Sequence, residues 1–199
     1  MKIIFIMFLA LFSVSIAGAQ LRFFAFSDNT ENPIFGKAEN QLMINIGQGI
    51  AGTDVFELPK NPVPFNMFML QYSQPILFFR SPARLSASIT QTVGYGETEC
   101  QYGIWNWSDY TTTISFLSTD TLILWTNVWY CGAGIGTGIQ TELNARIGTR
   151  FLLAYKLFTG FAFANNWRIE LFFHHFSNGS TSYQNSSYNF YGLGIGYNF

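Results

Sequence analysis

The sequence predicts an all-β fold, an eight-stranded antiparallel transmembrane β-barrel of the bacterial outer membrane. Three observations carry that prediction. The chain opens with an export signal, it then contains no segment able to cross a membrane as a helix, and its C-terminal part alternates large apolar with small residues at a period of two.

The export signal is MKIIFIMFLALFSVSIAGA, residues 1–19. It has a lysine at position 2, an apolar run from Ile3 to Val14, and small residues at Ala17 and Ala19. This is the layout of a secretory signal peptide with an A-x-A cleavage site, so the mature barrel is expected to span residues 20–199.

Beyond Ala19 the most apolar stretch, NMFMLQYSQPILFF, is interrupted by Gln71, Ser73, Gln74 and Pro75. That excludes a spanning helix, which needs about 20 predominantly apolar residues. Yet only 11% of residues are charged, 19% are aromatic, and Phe alone occurs 22 times. Soluble domains carry roughly a quarter charged residues. An exported chain with this composition fits the other architecture that satisfies its backbone in lipid, a closed barrel. Ten basic against eleven acidic residues leave no basic patch, and no nucleic-acid partner is expected.

Eight strand-like segments follow in order, near residues 40–50, 65–73, 84–96, 112–125, 129–139, 150–163, 167–177 and 188–199. The last is the clearest. In YNFYGLGIGYNF the odd positions Tyr191, Leu193, Ile195, Tyr197 and Phe199 are large, and the even ones are Gly192, Gly194, Gly196 and Asn198. Large residues would face lipid, while glycines accommodate a narrow interior. WYCGAGIGTGI repeats the scheme with Gly132, Gly134, Gly136 and Gly138 on one parity. Its GxGxGxG spacing lacks the GxGxxG offset of a dinucleotide loop, and no helical pattern follows. Short connections (SQPILFFRSPA, WTNV, ANN) alternate with long polar ones (AGTDVFELPKNPVP, TECQYGIWNWSDY, QTELNARIG, NGSTSYQNSS). That is the plan of short periplasmic turns and long outer loops. Eight strands leave an interior filled by side chains, which disfavours a wide pore.

The chain ends GLGIGYNF. An aromatic terminus such as Phe199 resembles the signal read by barrel-assembly machinery, the expected partner in biogenesis. Cys100 is placed in an outer loop and Cys131 near the inner end of the fifth strand. Ten residues of strand span about 30 Å, so two free thiols are expected rather than a bridge.

The seventh segment carries the chemistry. In RIELFFHHFS, Ile169, Leu171, Phe173, His175 and Ser177 share one face, while Arg168, Glu170, Phe172, His174 and Phe176 share the other. Three large apolar residues mark the first face as lipid-facing, so His175 and Ser177 project outward at the loop end. Polar side chains facing lipid call for a reason. One reason is that the strand end lies at headgroup level. The other is catalytic: residues two apart on a strand lie roughly 7 Å apart at Cα, close enough for histidine to activate serine as a nucleophile. Parity alone leaves both open. His174 and His175 cannot share a metal, because their rings leave opposite faces. His174 is expected to be an interior hydrogen-bond partner, Arg168 and Glu170 to form an interior polar pair, and Trp105, Trp107 and Tyr110 to lie at the membrane interface.

The segment IELFFHHFSNG, followed by an Asn-containing loop and NFYGLGIGYNF, resembles the end of the PagL-type lipid A deacylases, with a His-x-Ser-Asn motif on the penultimate strand. Weaker similarity extends back through the glycine strand to YSQPILFFRSPA. The resemblance implies an eight-stranded outer-membrane barrel that hydrolyses the ester-linked 3-hydroxyacyl chain at the 3-position of lipid A, the substrate within lipopolysaccharide. It implies Ser177 as nucleophile, His175 as general base and Asn178 as an oxyanion donor, with no cofactor and no metal. It also exposes a departure. The family carries a glutamate on the last strand, twelve positions after the serine, and this chain has Asn189 there. An amide can orient an imidazole but cannot supply charge; Glu142, Glu97 and Glu99 are the other acids in neighbouring loops. The rival reading is a non-catalytic small barrel with a structural or adhesion role. The quaternary state is left between monomer and homodimer.

Overall fold

The structure is a computed structural model that describes residues 22–23, 39–49, 65–79, 81–94, 97–100, 103–106, 111–143, 147–182 and 187–199. The segment expected to be a signal peptide lies outside these residues, as do Trp107 and Tyr110.

Eight long strands form the wall: β1 (Gln41–Gly49), β2 (Phe65–Phe78), β3 (Ser81–Gly94), β4 (Thr113–Trp125), β5 (Trp129–Gln140), β6 (Phe151–Ala162), β7 (Trp167–Ser177) and β8 (Tyr188–Asn198). Each pairs antiparallel with its sequence neighbours, and β8 pairs with β1, so the sheet closes. Closure leaves no unpaired edge along the wall, which a membrane requires. The pair Asn40 and Phe199 extends the β1–β8 seam with reciprocal backbone hydrogen bonds of 3.0 and 2.9 Å. A bulge in β4 between Leu122 and Leu124 shifts its register against β5. Outside the wall, Glu97–Cys100 and Gly103–Asn106 pair as a small hairpin, and Arg22–Phe23 pairs with the inner end of β4.

The second and third strands differ from the sequence reading. SQPILFFRSPA was expected to be a connection, but β2 runs through Pro75 to Phe78, and β3 begins at Ser81. The β1 pairing ends at Gln41 opposite Ser73, so beyond that point no strand among the described residues pairs with this side of β2. A proline is tolerated at such an edge. The turn is tight enough to hold Phe79 at φ +47°.

Parity assigns the faces as expected. Ile135, Ile139, Leu193, Ile195 and Tyr197 are exposed on the outer wall, and the glycines between them lie towards the interior. The interior has two layers. Towards the long loops, Phe65, Phe116, Phe176, Tyr188 and Phe190 pack together. Below them lies a charged cluster. Arg84 forks onto Glu170 (2.7 and 2.9 Å) and also binds Asp120 at 2.9 Å. Lys156 lies 3.4 Å from Glu170, and the Tyr130 hydroxyl donates to the same carboxylate at 2.9 Å. Two cations thus meet two anions out of reach of water, which is how buried charge is tolerated.

Arg168 was expected to pair with Glu170, but the guanidinium that forks onto Glu170 is that of Arg84. Arg168 instead donates to the carbonyls of Phe163 and Trp167. His174 was expected to hydrogen-bond in the interior. Its ring packs against Phe116 and Phe176, and Nδ1 has no hydrogen-bond partner among the described residues. The glycines are small because the lumen is full: a Cβ on Gly134 would strike the Asp120 carboxylate, and one on Gly192 the Phe172 ring. Cys131 is a free, half-buried thiol on β5.

Candidate active site

His175 and Ser177 end β7 on the outer face, one above the other, while His174 and Phe176 turn inward. The face just beneath is aromatic. Tyr155 on β6, Phe173 on β7 and Tyr191 on β8 form a continuous band, with ring centroids 5.9 and 4.9 Å apart. Aromatic girdles of this kind mark the membrane interface, so the two polar residues stand where acyl chains meet headgroups.

The register fixes the imidazole from both sides. His175 is opposite Tyr155 on β6 and Asn189 on β8. Its ring stacks on Tyr155 at a centroid distance of 4.5 Å and an interplanar angle of 19°. Its Nδ1 lies 2.7 Å from the Asn189 Oδ1. An amide oxygen has no proton to give, so this bond requires the proton on Nδ1 and leaves the lone pair on Nε2. Asn189 is only 3% exposed, and its Nδ2 donates to the Ser187 hydroxyl at 3.1 Å. Asn189 therefore stands where the sequence places it, on the last strand beside the histidine.

His175 and Ser177 form no hydrogen bond in this structure. The sequence spacing brings them to the same face, but the imidazole engages Tyr155 and Asn189 instead. Catalytic contacts are commonly loose before substrate binds.

Asn178 is fully buried and begins the loop after β7. Its Oδ1 accepts from the Ser180 N–H at 2.9 Å, and its carbonyl accepts from the Thr181 N–H at 3.2 Å. Gly179 and Ser180 both have positive φ, at 59° and 63°. This is the sign pattern of a type I′ turn with Gly179 and Ser180 at its two central positions. The chain thus turns immediately after Asn178. Of the alternative acids, Glu142 is exposed in the β5–β6 connection, where its backbone N–H binds the Thr112 hydroxyl; the side chains of Glu97 and Glu99 lie outside the described residues.

Sequence reasoning missed two residues at this site, Tyr155 and Ser187. Tyr155 lies on the strand expected near 150–163, where its parity with Leu153 and Leu157 marks a wall position but not a neighbour. Ser187 sits in a polar loop, and its only signal is the two-residue step that puts it on the Asn189 face.

An open groove of about 570 Å³ starts at Ser177 and His175 and crosses the outer wall. Leu153, Ile135, Leu117 and Leu85, one from each of four successive strands, form its apolar floor.

An eight-stranded barrel with a serine and an oriented imidazole on its lipid-facing wall defines a class, the outer-membrane barrels with a membrane-facing polar site. The family model described as lipid A 3-O-deacylase (PagL) matches residues 66–198, which include every residue of this site. The chain belongs to the lipid A 3-O-deacylase (PagL) family, and it is an outer-membrane β-barrel.

Among solved structures, the crystal structure of the outer membrane enzyme PagL is similar at 12% identity and a TM-score of 0.52, covering 79% of this chain and 98% of that one. A de novo designed transmembrane β-barrel is similar at 7% identity and a TM-score of 0.51, covering 81% and 96%. Neisserial surface protein A is similar at 8% identity and a TM-score of 0.50, covering 80% and 97%. At these identities the structural likeness speaks for the fold alone, as a designed barrel and a surface protein make plain. No curated protein sequence matches the chain.

Proposed function

We propose that the protein is a serine esterase that removes the ester-linked 3-hydroxyacyl chain from the 3-position of lipid A in the outer leaflet. The observation that carries this reading is the His175 Nδ1 to Asn189 Oδ1 bond of 2.7 Å on the outer wall, beside Ser177. Family membership supports the choice of substrate. The apolar groove leading away from Ser177 suits an acyl chain lying along the wall.

In this mechanism the His175 Nε2 takes the Ser177 hydroxyl proton as the oxygen attacks the ester carbonyl. Negative charge collects on the carbonyl oxygen, where donors fixed in advance stabilise it. Asn178, the residue after Ser177, is the candidate for that role; its amide oxygen is engaged by the turn. His175 then returns the proton to the sugar oxygen, which leaves as an alcohol. Water, activated by the same nitrogen, hydrolyses the acyl-serine to a free 3-hydroxy fatty acid and regenerates the hydroxyl. Asn189 orients the imidazolium through its dipole instead of a full charge, so turnover should be slower than with a carboxylate.

Lipid A mass spectra from cells expressing wild type and Ser177→Ala test the reading. Wild type should remove the mass of one 3-hydroxyacyl chain, and the variant none. A non-catalytic envelope barrel is the second reading, favoured by the amide at position 189; it predicts identical spectra for the two.

A further inference from the structure

We propose that Ser187 is a positioning residue, whose hydroxyl holds the Asn189 amide in the one orientation that lets His175 act as a base. The inference rests on the esterase reading above and explains how an amide can stand in an acid's place.

A carboxylate presents an oxygen to the histidine whichever way it turns. A carboxamide has two different ends. With the oxygen towards His175, the imidazole proton sits on Nδ1 and the Nε2 lone pair is open. Turned by 180°, the amide would offer N–H to Nδ1, and the proton would have to move to Nε2. An imidazole protonated at Nε2 cannot take the Ser177 proton, and a wrong tautomer accounts for most of the loss when a triad acid becomes an amide.

The orientation present is the productive one, and Ser187 supplies the contact that matches it. The Asn189 Oδ1 meets His175 at 2.7 Å, and the Nδ2 meets the Ser187 Oγ at 3.1 Å. Asn189 is buried, so water is poorly placed to replace a lost acceptor. Removing the hydroxyl would leave a buried N–H without its acceptor in the productive orientation. Ser187 is itself 5% exposed and lies one step beyond the last β7–β8 pair, Phe176 with Tyr188.

The test is a coupling measurement on the purified full chain in detergent micelles with lipid A. Ser187→Ala should lower kcat roughly tenfold, the loss expected from one unpaired buried N–H, with KM little changed. Ser187→Thr, which keeps the hydroxyl, should restore most of it. In an Asn189→Asp background, Ser187→Ala should change kcat by less than about twofold, because orientation no longer matters. Equal losses in both backgrounds, or no loss in wild type, would overturn the proposal.

A second readout needs no substrate. The chain has two histidines, and 15N spectra of the imidazoles report which nitrogen carries the proton. Wild-type His175 should be protonated at Nδ1, and Ser187→Ala should move protonation towards Nε2; an unchanged tautomer rejects the proposal. If wild type fails to hydrolyse lipid A, the esterase reading falls while the spectra still decide the role of Ser187.

Discussion

His175 and Asn189 face each other across the β7–β8 ladder, with Nδ1 and Oδ1 2.7 Å apart on the outer wall of a closed barrel. The bond sets the imidazole tautomer without supplying a charge.

Restoring that charge should speed the reaction. Asn189→Asp is expected to raise kcat about tenfold or more, well short of the ~10⁴ seen when a serine protease loses its acid, because the tautomer here is already correct. Asn189→Ala should lower kcat by a comparable factor. Steady-state release of the 3-hydroxy fatty acid measures both; an Asp variant no faster than wild type would mean that another group orients His175.

The Tyr155 ring is the other restraint on His175, stacked at 4.5 Å. Such a contact contributes about 0.5–1.5 kcal/mol. Tyr155→Leu should therefore reduce kcat by up to about tenfold, while heat-modifiable gel mobility still reports a folded barrel.

The groove floor should govern how the acyl chain fits. Ile135→Trp, placed on that floor, is expected to raise KM several-fold for long acyl chains while leaving kcat for short ester substrates within about twofold. A uniform fall in kcat for all substrates would argue that the chain lies elsewhere.

Stability should depend on the interior cluster. Glu170 accepts from Arg84, Lys156 and Tyr130. Glu170→Ala leaves buried cations without their carboxylate and should destabilise the barrel by about 3–5 kcal/mol, read by urea unfolding in detergent. Leu193→Ala on the lipid face should cost far less, since that position packs against no core.

Most of the wall was legible because period-two alternation survives wherever one face meets lipid and the other a crowded lumen. The residues from Tyr191 to Tyr197 and from Ile169 to Ser177 show this plainly, and parity alone set His175 and Ser177 outside. Pro75 misled, because a breaker within a sequence cannot reveal that the strand beside it has already ended. The Arg84–Glu170 fork was invisible because the two residues are 86 positions apart and meet across the lumen. The roles of Tyr155 and Ser187 depend on register, which fixes which side chain stands beside which, and a single strand's pattern does not state that.

The most direct test is the mass of the protein itself after rapid quenching with lipid A. An adduct of one 3-hydroxyacyl group on Ser177 is expected, absent in Ser177→Ala and greatly reduced in His175→Ala. Loss of the acyl chain from lipid A with no adduct on Ser177, or with the adduct on another residue, would contradict it.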